Sequence, residues 1–409
     1  MPSRIVRSAC FLVALALCCH SARSAEPFSL SDGDRVVLLG STFIERAQTH
    51  GYLEAALASR FHGANLEFRN LGWSGDNVFG EARAGFGDVA HGFEQLQKHV
   101  AEIQPTVILL AYGANESFAG KPGLDKFRAG LDALLAALDK TGAQIVFVGP
   151  PPHEDLGRPL PDPKAHNEDL KLYSQAIADV AKRRGDRFVD LLKLEAGKLS
   201  PPSDVPLTDN GIHLTAHGYW RAAPVIEQLL GLPQREWQVE IDTRDANMQA
   251  RGTLLRDARF EDNTIAFRAR DEQLPLPPAP ENAPVGATLS SRVLRVFDLP
   301  PGEFALEIDG TSVATGNQLD WADGITITRG PEFDQAEKLR QTILEKNVLY
   351  FHRWRPQNVT YLFGFRKHEQ GQNAVEIPRF DPLVAARDEA IHTLAIPAEH
   401  EYQLRKVDN

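Results

Sequence analysis

"VVLLGSTFIER", Val36 to Arg46, is an apolar run that stops at a glycine and meets two hydroxyl side chains. An uninterrupted apolar run of this length reads as a strand buried on both faces, and the residues after it have helical spacing. Ser41 and Thr42 therefore stand at the start of a helix. Each fits two descriptions, a helix N-cap or a nucleophile displayed at a strand end.

The pattern recurs downstream. "NLEFRNLG" (Asn65–Gly72), "PTVILLAYG" (Pro105–Gly113), "AQIVFVGPPP" (Ala143–Pro152) and the short "RFVDLL" (Arg187–Leu192) read as further strands. Helical periodicity covers Phe43–Phe61, Asp125–Lys140 and Asn167–Arg184. Apolar strands alternating with helices predict a three-layer α/β/α sandwich around a parallel five-stranded sheet, spanning residues 26–232. Ligands of such sheets lie beyond the carboxyl ends of the strands.

The composition changes after "GLPQREW" (Gly231–Trp237). Short alternating stretches ("WQVEIDT", "TIAFRAR", "RVLRVFDL", "EFALEIDG", "GITITRG") predict a small antiparallel β unit. The Pro-rich "LPLPPAPENAP" (Leu274–Pro284) reads as an exposed loop within it. Helical spacing returns from Phe333 to about Leu349 and again from Asp381, so residues 233–409 form a C-terminal β-rich module with helices.

The first 25 residues stand apart. Arg4 and Arg7 precede "ACFLVALALCC" (Ala9–Cys19), an apolar stretch too short to span a bilayer, and small residues follow it. This is the pattern of a secretory signal peptide, which implies a secreted or periplasmic protein. All three cysteines (Cys10, Cys18, Cys19) lie inside it. The mature chain then has no thiol for a disulfide, a nucleophile or a metal. No later run has the length of a membrane-spanning helix, so no stable membrane insertion is expected once the signal is removed. A formal charge of −11 argues against a sequence-independent grip on nucleic acid. The spacing in "PPHED" (Pro151–Asp155) matches no familiar ligand set, and neither a metal nor another cofactor is expected.

Reactive residue types cluster just after the strands. Ser41 and Thr42 follow the first, Gly72, Gly75 and Asp76 the second, and Gly113 and Asn115 the third. "LTDNGIHLTAHGYW" brings Asp209, Asn210, His213 and His217 near the end of the unit. A hydroxyl, glycine amides, a side-chain amide and an imidazole are the parts acyl transfer needs. Each also has a plainer reading: a cap for the hydroxyls, a tight turn for Gly75, a structural loop histidine for His213, a helix-start residue for His217.

Taken in order, these blocks resemble the SGNH (GDSL-type) hydrolase family. That family carries Gly-Asp-Ser after the first strand, a glycine in an Asn-x-x-x-x-Gly stretch after the second, Gly-x-Asn after the third, and Asp-x-x-His near the end. The counterparts here are Gly40-Ser41-Thr42, Asn70 to Gly75, Gly113-Ala114-Asn115 and Asn210 to His213. The resemblance implies a flavodoxin-like fold and ester hydrolysis through an acyl-enzyme. It puts Thr42 in the nucleophile position and His213 in that of the general base. The oxyanion donors would be the Thr42 and Gly75 amides and the Asn115 side chain.

Two departures stand out. Thr42 carries a methyl where the family has serine, which crowds attack and restricts its rotamer. Asn210 replaces the aspartate; its amide oxygen can accept the imidazole Nδ1 proton but cannot stabilise imidazolium by charge. The adjacent Asp209 is the other source of a carboxylate, and Ser41 becomes the nucleophile if the register shifts by one. Asp76 is a candidate either for orienting the oxyanion loop or for touching substrate. In "HRWRPQN" (His352–Asn358), Arg353, Trp354 and Arg355 fit a site that stacks on sugar or binds a carboxylate, and equally an interface between the two units.

Two functions of different class follow. One is a secreted esterase that removes acyl groups, acetyl above all, from carbohydrate, the carbohydrate resting on family analogy and export. The other is a catalytically weakened or inactive descendant that binds glycan or a cell-surface partner.

Overall fold

Val36, Val37, Leu38 and Leu39 are all buried, as a strand covered on both faces requires. The computed structural model describes residues 27–194, 204–261, 264–284 and 287–407. The signal-like segment and all three cysteines lie outside the described residues.

In the first unit the elements run β1 (Arg35–Gly40), α1 (Thr42–His50), α2 (Tyr52–Arg60), β2 (Glu67–Asn70), α3 (Val89–Ile103) and β3 (Val107–Ala111). Then come α4 (Gly120–Leu138), β4 (Gln144–Val148), α5 (Lys164–Arg184), β5 (Arg187–Val189) and α6 (Ala216–Leu229). The sheet order is β2-β1-β3-β4-β5 and every pairing is parallel. Alternate residues of β1 point to opposite faces. Val36 and Leu38 pack with Leu57 of α2 and Ile226 of α6, whereas Val37 and Leu39 pack with Leu96 of α3, Leu131 of α4 and Ile177 of α5. This is the three-layer sandwich the sequence predicts. The single helix expected over 43–61 is instead two, because Gly51 adopts φ 71° and its N–H closes α1 onto Ala47 O. That left-handed conformation favours glycine and turns the chain.

The C-terminal unit contains β6 (Glu236–Asp242), β7 (Asn247–Arg251), β8 (Thr253–Glu261), β9 (Thr264–Asp271), β10 (Ser291–Phe297), β11 (Glu303–Ile308) and β12 (Thr311–Asn317). It continues with α7 (Gln318–Asp323), β13 (Ile325–Thr326), α8 (Pro331–Trp354), α9 (Val359–Leu362), α10 (Phe380–Ala395) and β14 (Glu399–Lys406). Two sheets, β13-β10-β6-β7 and β12-β11-β14-β9-β8, share a core of Trp237, Phe267, Phe304, Trp321 and Tyr402. The β-rich character is as predicted, with three differences. β6 and β10 pair in parallel, "GITITRG" supplies only the two-residue β13, and β14 enters the middle of the second sheet. The Pro-rich segment is also not the exposed loop expected. Leu274 and Leu276 are buried with α2 and α6, and the Trp220 indole donates to Pro277 O at 3.1 Å. Leucines two apart on an extended strap put both side chains on one face.

Inside the sandwich, Arg292 is buried with its guanidinium 4.5 Å from the Trp237 ring. It pairs with Asp271 and donates to Glu332 and Tyr402, each at 3.0 Å. The helix α8 begins with Pro at its first position and serves both units. Glu332 sits against Arg292, while Ala336, Leu339 and Ile343 belong to the same core as Val36. Further along, the buried Lys346 ammonium pairs with Glu54 of α2 and donates to Phe68 O at 3.0 Å.

Candidate active site

The chain leaves β1 at Gly40 and starts α1 at Thr42, so Ser41 occupies the N-cap position. Its side chain makes no cap bond and is buried, 4% exposed. The Thr42 hydroxyl accepts the Gly75 N–H at 3.3 Å, which ties the first strand end to the second.

The turn after β2 is held from several sides. Asn70 donates to Ile44 O at 2.7 Å and accepts the Gly72 N–H at 2.8 Å. A Cβ on Gly72 would lie 2.1 Å from the backbone nitrogen of Glu45, so the turn passes α1 at a distance only glycine permits. Gly72→Ala is expected to cost about 1–3 kcal/mol through overpacking, measured by denaturant unfolding, and to lower turnover by displacing the Gly75 amide. Asp76 is fully buried. Its carboxylate accepts from Arg83 at 2.7 Å, from the Tyr112 hydroxyl at 2.9 Å and from the Ala82 amide at 3.3 Å. Of the two roles open to Asp76 in the sequence, the structure keeps loop orientation; a carboxylate with no exposed surface cannot reach substrate.

Asn115 follows β3, and its amide donates to Asp76 O at 3.1 Å. Glu116 next to it escaped the sequence reading. One of its oxygens accepts the Val78 N–H and the other the Gly113 N–H, each at 2.9 Å, so a single carboxylate staples two strand-end loops together. Burial pushes this carboxyl above its usual range, opposed by the amides that donate to it. Its neighbours in "GANES" were the only available signal.

His213 lies on a loop that Glu154 braces, through the Leu207 and Thr208 amides at 2.9 and 2.7 Å. Asn210 contacts the imidazole with the opposite polarity to that expected. Its Oδ1 already accepts the Ile212 and His213 amides at 3.2 and 3.0 Å, and its Nδ2 is 3.0 Å from His213 Nδ1. Turning the amide over would aim its NH₂ at two N–H groups. Nδ1 is therefore an acceptor, and neutral His213 carries its proton on Nε2. Burial, followed by the charge of Arg46, lowers the imidazole's affinity for a second proton, opposed by Asp209. The Asp209 carboxylate itself pairs with Arg46 at 2.6 Å. Adjacent side chains on this loop diverge, so Asp209 does not supply the carboxylate missing at position 210.

Ser41, Thr42, Asn115 and His213 line one cleft, open to solvent, at the carboxyl edge of the sheet. Phe43, Phe118, Pro151 and Leu170 give it apolar walls. Two further imidazoles, His153 and His166, complete the lining, so the "PPHED" loop borders the cleft as expected of a loop following β4. His217 is buried within the first turn of α6.

The three aromatic and basic candidates of the C-terminal unit separate. Arg353 pairs with Asp381 at 2.7 Å. Trp354 packs edge-on against Trp73, with ring centres 5.9 Å apart. The Arg355 guanidinium stacks on Trp73 at 3.6 Å and bonds Glu45 at 3.2 Å, and Glu45 in turn receives the Ser74 N–H. Trp354 and Arg355 thus join the two units beside the turn that holds Gly75. Among the described residues, no group of three or more His, Cys, Asp or Glu side chains could hold a metal ion.

A hydroxyl beginning a helix, a glycine amide, an asparagine amide and an imidazole share one rim of a parallel sheet. Residues 38–221 match the GDSL-like lipase/acylhydrolase family. The GDSL-like domain is thus the α/β unit, and the remaining sandwich lies beyond the matched residues. A gut microbial diltiazem-metabolizing enzyme has the same fold over nearly the whole chain, with a TM-score of 0.70 at 17% identity, covering 93% of this chain and 99% of that one. An acetylxylan esterase from Geobacillus stearothermophilus covers 50% of this chain and 98% of its own, at 14% identity and a TM-score of 0.38. An alpha/beta hydrolase enzyme from the metagenome of Lake Arreo, Spain, covers 49% and 97%, at 18% identity and a TM-score of 0.39. No curated protein matches the chain.

Proposed function

We propose that this protein is an exported ester hydrolase of the GDSL/SGNH kind, which removes acyl groups, acetyl foremost, from carbohydrate. The observation that carries the hydrolase is that Thr42, whose Oγ1 accepts the Gly75 N–H, lines one cleft together with Asn115 and His213. Thr42 Oγ attacks the ester carbonyl, and the Thr42 and Gly75 amides with Asn115 receive the negative charge on oxygen. The Thr42 hydroxyl proton passes by way of a cleft imidazole to the departing alcohol, and water then releases the acid from the acyl-enzyme by the same route. Export is inferred from the basic and apolar pattern of residues 1–25, and the carbohydrate from export together with family analogy.

Short p-nitrophenyl esters and acetylated polysaccharides test this reading. Thr42→Ala is expected to lower kcat by about 10³-fold or more with the fold intact by circular dichroism. Unchanged turnover in that variant, with loss in Ser41→Ala, would move the nucleophile to Ser41.

One observation favours the second reading, a protein that binds glycan with little or no turnover: the Asn210 amide faces His213 Nδ1. Saturable glycan binding with no hydrolysis, even after Asn210→Asp, is the result that would select it.

A further inference from the structure

The turn from Gly72 to Asp76 is anchored from the C-terminal unit as well as from its own. Gly75 adopts φ 76°, both it and Ser74 are exposed, and a Cβ on Gly75 would meet nothing within 4 Å. A glycine with that freedom and no packing around it does not fix the direction of its own N–H. The direction has to come from the residues on either side. Downstream, Asp76 is clamped by Arg83 and Tyr112. Upstream, the hold passes through Ser74 and Trp73.

Ser74 donates its N–H to one oxygen of Glu45, and the other oxygen accepts from Arg355 Nη1 at 3.2 Å. The Trp73 N–H donates to Gly40 O at 3.0 Å, and the Trp73 ring carries the Arg355 guanidinium at 3.6 Å. The His99 imidazole also stacks on that ring, with 18° between the planes. One guanidinium thus reaches both residues that precede Gly75, through a carboxylate in one case and directly in the other. Arg355 is itself well placed for this. Its N–H closes α8 onto Phe351 O at 2.9 Å, and its guanidinium also lies 5.5 Å from the centre of the Phe351 ring. Pro356, next in the chain, cannot extend the helix.

We infer that Arg355 is a positioning residue for ester hydrolysis, supplied by the C-terminal unit: through Glu45 and Trp73 it aims the Gly75 N–H at the oxygen that gains charge. The inference rests on the ester-hydrolase reading given above, in which that N–H is one of the donors. Arg355 lies outside the matched residues 38–221 and does not line the cleft, so it acts through the turn and not on substrate. An oxyanion donor works only within about 2.7–3.1 Å of the developing charge, so a shift of the turn weakens it. In the resting protein the Gly75 N–H meets Thr42 Oγ1 at 3.3 Å, a long bond that a charged oxygen would displace. The contact gains its strength in the transition state, and its loss therefore belongs in kcat.

Arg355→Ala is expected to lower kcat on p-nitrophenyl acetate by about 30-fold, with KM changed less than about twofold. Arg355→Lys keeps a charge for Glu45 without the planar stack, and should recover to within about fivefold of the native rate. Sulfur accepts hydrogen bonds poorly, so p-nitrophenyl thionoacetate draws little help from an oxyanion donor. Its turnover should fall less than about threefold in Arg355→Ala. Thermal melts establish that each variant is folded. Native kcat in folded Arg355→Ala overturns the inference, as does a loss carried by KM or one of equal size on ester and thionoester. Exchange of the Ser74 amide with solvent, read by ¹⁵N NMR, needs no turnover and should quicken by about tenfold in Arg355→Ala. An unchanged exchange rate would show that Arg355 does not hold the turn, and overturns the inference. Faster exchange, with no ester cleaved by the native or the Asn210→Asp protein, would instead overturn the ester-hydrolase reading and the positioning role with it.

Discussion

Asn210→Asp should raise kcat for short p-nitrophenyl esters by about 10²- to 10⁴-fold with little change in KM. The scale comes from the opposite replacement in a serine protease triad, which costs about 10⁴ through the wrong histidine tautomer. One oxygen of Asn210 already serves the Ile212 and His213 amides. An aspartate would keep those bonds and turn its second oxygen toward His213 Nδ1, where an NH₂ now sits at 3.0 Å. Nδ1 would then carry the proton, Nε2 would become a base facing the cleft, and the carboxylate would stabilise imidazolium. The Thr42 methyl is untouched by the substitution, so the gain should fall short of a serine enzyme's full rate. Steady-state kinetics on both proteins settle the matter. An unchanged kcat would mean that the tautomer of His213 does not limit turnover.

Arg292→Ala should destabilise the C-terminal sandwich by about 3–5 kcal/mol in urea unfolding. The guanidinium is buried among Asp271, Glu332 and Tyr402, and deleting it strands two carboxylates in the core. Burial already pushes the Asp271 carboxyl above its usual range, with the Arg292 charge opposing it. Without that charge the group can stay only by taking up a proton, so the loss should grow as pH rises above the usual carboxylate range and shrink below it. The stacking of Arg292 on Trp237 disappears as well. A loss below 1 kcal/mol would show that the network contributes little beyond replacing water.

What the sequence revealed depended on how local its cause was. β1 was legible to the residue because burial on both faces leaves an uninterrupted apolar run. The break at Gly51 was not, since a glycine within helical spacing does not by itself reveal the left-handed conformation it adopts. β14 went unread because only Tyr402 and Leu404 of "EHEYQLRK" face the core, and the other residues are polar. In the cleft, each strand-end motif announced its own residue. The direction of the Asn210 amide did not appear in the sequence, since it is set by two backbone N–H groups on the loop. The pairing of His153 with His166 likewise depends on a loop closing across thirteen positions. Arg353, Trp354 and Arg355 are consecutive, yet only the last two reach Trp73.

The helix α8 carries a mechanical consequence. Its 24 residues make a strut of roughly 36 Å. One end is anchored at Arg292 in the sandwich, the middle at Glu54 in the α/β core, and Trp354 and Arg355 at the far end brace the turn that holds Gly75. A beam fixed at three points ties the two units together. Moving the units apart would break one of these anchors, and the Trp73 contact lies next to the turn that holds Gly75.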